Sequence, residues 1–198
     1  MKNQTEGFKP FVVKSKDGSQ VLNLKTQADI CVEFLKLLAV AHQCVPEVEK
    51  AKEGRPAKIF YQGPSPDEVT LVEFAQLHGF ECYSESEGAT KVKYGRKIKE
   101  AELVGEQFVL PLFEHIQDLP FKVLRKVEFT SDRKRMSVLI QDPRDGLLKL
   151  YVKGADSEVK KRLSNQSDPE LLDSVDFFLD QASSKGYRTL LMALKVLT

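Results

Sequence analysis

Three consecutive basic residues, Arg133, Lys134 and Arg135, follow an aromatic, Phe129, in the run FTSDRKRMSVLI. The run lies between two apolar, strand-like stretches, so the cations gather at the mouth of a strand pair. A solvated turn explains them without chemistry; a local site for a polyanion explains them with it. Three more short pieces could do chemistry. In SPDE, Ser65 to Glu68, a serine precedes a proline and two acids. Alone it reads as a helix start, with Ser65 as N-cap, Pro66 at the first helical position and Asp67 and Glu68 favoured by the helix dipole. In YVKGAD, Tyr151 to Asp156, Lys153 brings an ammonium to a strand end. Gly154 beside it has no side chain, which lets a ligand approach the backbone. GYRTLLMAL, Gly186 to Leu194, reads alone as an amphipathic strand that carries one cation, Arg188.

Composition confines any such site to one locality. The 198 residues carry 30 Lys and Arg against 29 Asp and Glu, a net charge of +1. General nucleic-acid binding calls for a strongly basic domain and is disfavoured. The basic run is also too short for a nuclear localisation patch. Cys31, Cys44 and Cys82 lack CxxC spacing, and an odd, unpatterned set reads as reduced thiols. His42, His78 and His115 lack metal-ligand spacing, so no metal is expected. No apolar run approaches the roughly 18–20 residues of a membrane span; FLKLLAVA is short and holds Lys36. The N-terminal MKNQTEGFKP has no apolar h-region. GxxxxGK[ST], GxGxxG, GxSxG and HExxH patterns are absent.

The elements that must position these residues follow from periodicity and turn signals. FVVKSKDGSQVLNL reads as a hairpin turning at Asp17-Gly18, and a helix is expected from Thr26 to Gln43. PEVEKAKEGRP is polar, holds a glycine and two prolines, and reads as a loop. AKIFYQ is a short strand leading to the SPDE helix, where Glu68 is expected to complete a capping box with Ser65. Leu71, Val72, Ala75 and Leu77 face a core, and Gly79 ends the helix. FECYSE starts a strand, and Ser84 to Gln107 is polar with short strands. FKVLRKVEF, MSVLI and LLKLYVK are strands, the last two joined at Asp145-Gly146. Helices follow at Ala155–Leu163 and Asp168–Ser184, and YRTLLMALKVL closes as a strand. Hairpin connections make the sheet mostly antiparallel. The expectation is one domain, residues 1–198, of α/β composition and α+β type: a twisted, mostly antiparallel sheet flanked by helices.

In this order the four pieces resemble the nucleotide-binding domain of P-type ATPases, most closely the type IV, phospholipid-translocating lipid flippases. That family's patterns are close to YQ-x-x-SPDE-x-x-LV, EFTS-x-RKRMSV, LY-x-KGAD and G-x-RTL; this chain has YQGPSPDEVTLV, EFTSDRKRMSVLI, LYVKGADSEV and GYRTLLMAL. FLKLLAVAHQCVPE is also similar to the family's stretch before SPDE. Cation pumps share the Phe, the Lys-Gly-Ala and the late Arg, while the full RKRMSV and SPDE forms point to flippases. Departures are Gly63-Pro64 in place of small residues, Thr70 where Ala is common, Tyr187 for Leu, and Ala41 for a Cys before His42.

The resemblance implies a P-type ATPase cytoplasmic nucleotide-binding fold and an ATP site. Phe129 would stack on adenine. Lys134 and Lys153 would lie on the nucleotide, one near the phosphates and one deeper. Arg188 would reach the phosphate chain. Glu68 would accept from the adenine amino group or order the basic residues, and Asp67 would support the loop. On an extended strand Lys134 would point into the site while Arg133 and Arg135 face away. The implied cofactor is ATP, with Mg2+ in the full pump. The implied partners are the pump's phosphorylation, actuator and transmembrane domains and an accessory membrane subunit, and the implied location is the cytoplasmic side of an integral membrane protein. The DKTGT, GDG and TGE motifs of such pumps are absent from these residues. The chain is therefore expected to bind ATP without hydrolysing it, with its two ends side by side. The alternatives are the equivalent domain of a cation or polyamine pump, or an interaction module that has lost ATP binding. A haloacid-dehalogenase-type phosphatase is excluded by the lack of a DxDxT/V nucleophile.

Overall fold

Alternating apolar residues from Phe80 onward build an antiparallel sheet. The computed structural model describes residues 11–14, 20–49, 58–99, 102–104, 107–109, 112–165 and 167–197. Six strands, β5 (Phe80–Ser86), β6 (Ala89–Lys99), β9 (Leu112–Val127), β10 (Arg135–Gln141), β11 (Leu148–Gly154) and β12 (Leu191–Leu197), form the main sheet in the order β12-β11-β10-β9-β6-β5. Every pairing in it is antiparallel. Three two-stranded ribbons accompany it: β1 (Phe11–Lys14) with β2 (Gln20–Leu24), β3 (Val45–Glu49) with β4 (Lys58–Gln62), and β7 (Glu102–Val104) with β8 (Gln107–Val109). The helices are α1 (Gln27–Val40), α2 (Pro66–Leu77), α3 (Asp156–Lys160) and α4 (Pro169–Ser184). The architecture is the expected mostly antiparallel α+β fold.

Residues of one strand face pack against α1 and α2. In β10, Met136, Val138 and Ile140 are buried and alternate with half-buried neighbours. They join Leu38, Val40, Val72, Phe80, Phe121 and Tyr151 in one cluster, each such side chain stabilising by about 1.5–3 kcal/mol on burial. The helix starts explain why these helices form where they do. Thr26 accepts from the Asp29 backbone N–H while the Asp29 carboxylate accepts from the Thr26 N–H, a complete capping box. Ser65 accepts from the Glu68 N–H, with Pro66 at the first helical position. Gly79, at φ +88, and Gly186, at φ +75, take the left-handed conformation just past α2 and α4.

Several expectations need correction. Val45–Glu49 is a strand, because it pairs with β4 from Val45↔Gln62 to Glu49↔Lys58; a polar segment with Pro46 is tolerated in an isolated two-stranded ribbon, where each strand is an edge. Instead of short strands after Ser84, β6 runs for 11 residues. β9 runs for 16, starting at Leu112 rather than at Phe121. The Glu68 carboxylate does not reach back to complete a capping box; its two oxygens meet Lys153 and the Gln43 N–H. The Asp17-Gly18 turn falls outside the described residues, as do residues 1–10, on which the expected side-by-side placement of the chain ends depends. No helix among the described residues is long and apolar enough to cross a membrane.

A buried charge cluster ties α1 to the sheet, and nothing in the periodicity pointed to it. Lys149 Nζ lies 3.0 Å from Glu33 Oε1, 2.7 Å from Asp142 Oδ2 and 2.7 Å from Asp145 Oδ2. Lys36 Nζ lies 2.6 Å from the same Asp142 oxygen and 3.1 Å from Glu33 Oε2. The Tyr151 hydroxyl donates to Glu33 Oε1.

Candidate functional site

The strand register brings the sequence-selected residues to one end of the sheet. Arg135, the first residue of β10, pairs with Gly154, the last of β11; Gly154 in turn pairs with Leu191, the first of β12. β9 leaves its pairing with β10 at Val127↔Ser137, two residues before Phe129. Phe129, Lys134, Lys153 and Arg188 therefore all lie at or just beyond this end. Asp67 and Glu68 reach it from the first turn of α2 through their ion pairs.

Lys153 is the deepest of these groups, 3% exposed. Its Nζ lies 2.9 Å from Glu68 Oε1. Beyond that ion pair, Nζ has no hydrogen-bond partner among the described residues. Burial pulls the Lys153 pKa down, and the Glu68 carboxylate only partly offsets this. An ammonium carries three N–H donors, so with one carboxylate beside it Lys153 keeps capacity for a second anionic partner. Glu68 Oε2 accepts from the Gln43 N–H at 3.3 Å, which fixes the carboxylate between α2, β11 and the segment after α1.

The Phe129–Lys134 segment is a turn rather than a strand. Thr130 O accepts from the Lys134 N–H at 2.8 Å, and Lys134 takes φ +52, a left-handed conformation that few non-glycine residues adopt. Strand alternation therefore does not decide where Lys134 points; the turn leaves it exposed. Arg133 clamps the base of the loop, donating to Glu128 O at 2.7 Å and Val127 O at 3.4 Å. Arg135 faces Glu158 at 4.0 Å and donates to Arg133 O. Met136, the next residue, is buried in the core. Phe129 is 50% exposed, so a ring face is open to stacking.

Arg188 lies in the irregular lead-in to β12, and its guanidinium forks onto Asp67 with contacts of 2.8 and 3.1 Å. Gly154 differs from its sequence reading. A Cβ there would lie 2.4 Å from Lys134 O and 2.6 Å from Arg135 Cα, so the chain's own backbone occupies the close approach. Gly154→Ala is expected to cost about 1–3 kcal/mol in urea denaturation, because both obstacles are main chain.

Sequence reasoning missed Lys126. It pairs with Glu85 and donates to His42 O at 3.1 Å. With Glu128, Gln43 and Gly63 it lines a cleft of about 480 Å³ beside the Phe129 loop. Its only signal was its place as the last of three cations, after Lys122 and Arg125, in FKVLRKVEF. Gly63 belongs there on steric grounds, because a Cβ would lie 2.6 Å from Cys44 Sγ. Nearby, His42, Cys82 and Glu85 place potential ligand atoms within 4.8 Å of one another. His42, however, is spent on Ala39 O and the Cys44 N–H, and Glu85 on Lys126 and Thr90.

The antiparallel α+β domain thus gathers an exposed aromatic ring, Phe129, and three cations, Lys134, Lys153 and Arg188, at one sheet end. The chain belongs to the P-type ATPase cytoplasmic domain N family, whose model matches residues 31–198. Among similar curated proteins, "Probable phospholipid-transporting ATPase 12" of Arabidopsis thaliana is 36% identical over 91% of this chain and 13% of its own length. "Phospholipid-transporting ATPase tat-1" of Caenorhabditis elegans is 34% identical over 84% of this chain and 12% of its own. "Probable phospholipid-transporting ATPase 7" of Arabidopsis thaliana is 31% identical over 98% of this chain and 14% of its own. The chain thus spans 12–14% of the length of these relatives.

Proposed function

We propose that this chain is the ATP-binding domain of a phospholipid-translocating P-type ATPase. It holds ATP for transfer of the γ-phosphate to an aspartate in another domain of the pump, which powers lipid movement across a membrane. One observation carries the ATP reading: the buried Lys153 ammonium, met by Glu68 but by no other hydrogen-bond acceptor among the described residues, lies at the sheet end where Phe129, Lys134 and Arg188 also gather. An adenine ring stacked on Phe129 would gain roughly 0.5–1.5 kcal/mol beyond simple burial. Lys153, Lys134 and Arg188 would take the phosphate oxygens, with Glu68 keeping Lys153 oriented. ATP supplies the transferable phosphoryl group; the domain supplies proximity, carrying the bound nucleotide to the acceptor when the pump's domains close. The relatives' names, each a phospholipid-transporting ATPase, support lipid as the cargo. The same reading makes the domain cytoplasmic, with Mg2+ arriving alongside ATP and the pump's other domains and an accessory subunit as partners.

The test is an ATP titration of the 198-residue chain followed by NMR chemical shifts. Saturable shifts at Phe129, Lys153 and Arg188 are expected, with a dissociation constant in the sub-millimolar to millimolar range, roughly −4 to −6 kcal/mol. Phe129→Ala and Lys153→Ala should each weaken binding about tenfold or more. The absence of any shift at several millimolar ATP would sink the reading.

A further inference from the structure

We propose that Asp67 is an internal competitor for the phosphates of the nucleotide, holding the Arg188 guanidinium until a polyphosphate displaces it. The inference rests on the nucleotide reading above and concerns the regulation of that same site.

Two consecutive acids at the start of α2 each hold a cation from a different part of the sheet. Glu68 meets Lys153 of β11, and Asp67 meets Arg188 ahead of β12. The second pair spans 121 positions of chain and is two-pronged: Nη2 lies 2.8 Å from Oδ2, and Nη1 donates to Oδ1 at 3.1 Å. A carboxylate and a phosphate offer a guanidinium the same two-oxygen edge, so one arginine cannot serve both fully. Among the described residues Arg188 bonds Asp67 alone, and its side chain is 86% exposed. A pair so open to water is weak. The carboxylate thus holds Arg188 only loosely, and it gives way to a group of higher charge at the same sheet end.

The consequence is selection by charge. Adenosine can engage Phe129 and leave the Asp67–Arg188 pair closed. ATP must exchange Asp67 for its own oxygens, and pays for that exchange in affinity. After phosphoryl transfer the remaining, less charged nucleotide holds Arg188 less well, and Asp67 reclaims it. Asp67 in this account is a positioning residue that keeps Arg188 oriented at the site mouth and hastens product departure.

Binding of ATP and of adenosine is compared by titration for wild type, Asp67→Asn, Arg188→Ala and the double variant. Asp67→Asn is expected to bind ATP about two- to fivefold more tightly, the range set by the strength of an exposed pair, with adenosine affinity unchanged. The gain should vanish in the Arg188→Ala background, because the competition needs both partners. Asp67→Ser, which also removes the charge, should reproduce the result if Asn disturbs the helix start. Unchanged or weaker ATP binding in Asp67→Asn, or a gain that survives Arg188→Ala as a general charge effect, overturns the proposal while leaving the nucleotide reading intact. Wild type that fails to bind ATP at all overturns the nucleotide reading, and this proposal falls with it.

Discussion

Lys149→Met should lower folding stability by about 3–5 kcal/mol, the range for removing one partner from a buried ionic cluster. Lys149 is fully buried and stands against Glu33, Asp142 and Asp145. With Lys36, two ammonium groups face three carboxylates, of which Asp145 is the most exposed. Removal of Lys149 leaves one against three, and the Asp142 side chain has no exposure to water. Burial raises the Asp142 pKa, but the hydrogen bonds from Lys149 and Lys36 outweigh it and hold the carboxyl below its ordinary value. Wild type therefore loses this contribution as pH falls below the ordinary aspartate range. In the variant the carboxyl is left buried with fewer cations, its pKa rises, and protonation relieves the strain. The deficit of Lys149→Met, read from urea denaturation midpoints, should shrink between pH 7 and pH 4. A loss under about 1 kcal/mol at pH 7 would mean that water or protons already neutralise the cluster.

The second large effect is a pH slope set by His42. The ring is fully buried; Nε2 donates to Ala39 O at 2.9 Å and Nδ1 accepts from the Cys44 N–H at 3.1 Å, which fixes the neutral tautomer. Burial, aided by the charges of Lys126 and Lys153, pushes its pKa down to about 3. The unfolded chain protonates near 6.5 while the folded one does not, so acid favours unfolding. The His42 contribution is complete above pH 6.5 and shrinks as pH falls toward 3. By pH 5 the loss is about 2 kcal/mol. His42→Gln should flatten the slope between pH 6.5 and 5 in urea denaturation series; an unchanged slope would assign it to other groups.

The sheet and the helix starts were legible because their signals are local. Ser65, Pro66 and Gly79 mark α2 within a few positions of where they act, and Met136, Val138 and Ile140 alternate as a half-buried strand must. The turn at Lys134 was not legible. A run of charged residues next to a strand looks like its continuation, and nothing adjacent announces a non-glycine residue at φ +52. Gly154 was visible as a position needing room, but the sequence could not say that Lys134 and Arg135 fill that room. The candidate cations themselves stood out through their resemblance to a family, yet Asp67's hold on Arg188 and Lys149's hold on α1 could not. Their partners lie 121 and 116 positions away, and no periodicity carries that distance.

Apart from β7 and β8, which pair with each other, the strands from β5 to β12 neighbour one another in chain order, with helices α3 and α4 between β11 and β12. Such a sheet can assemble hairpin by hairpin, closing short loops first. The clasp of Glu33 on Lys149 closes across most of the chain, and so belongs to the last events on the folding path. Loosening it should then leave the refolding rate nearly untouched and appear as faster unfolding. The charge cluster acts as a latch on the finished molecule and sets how long the native state lasts, while the strand ladder sets how fast it is reached.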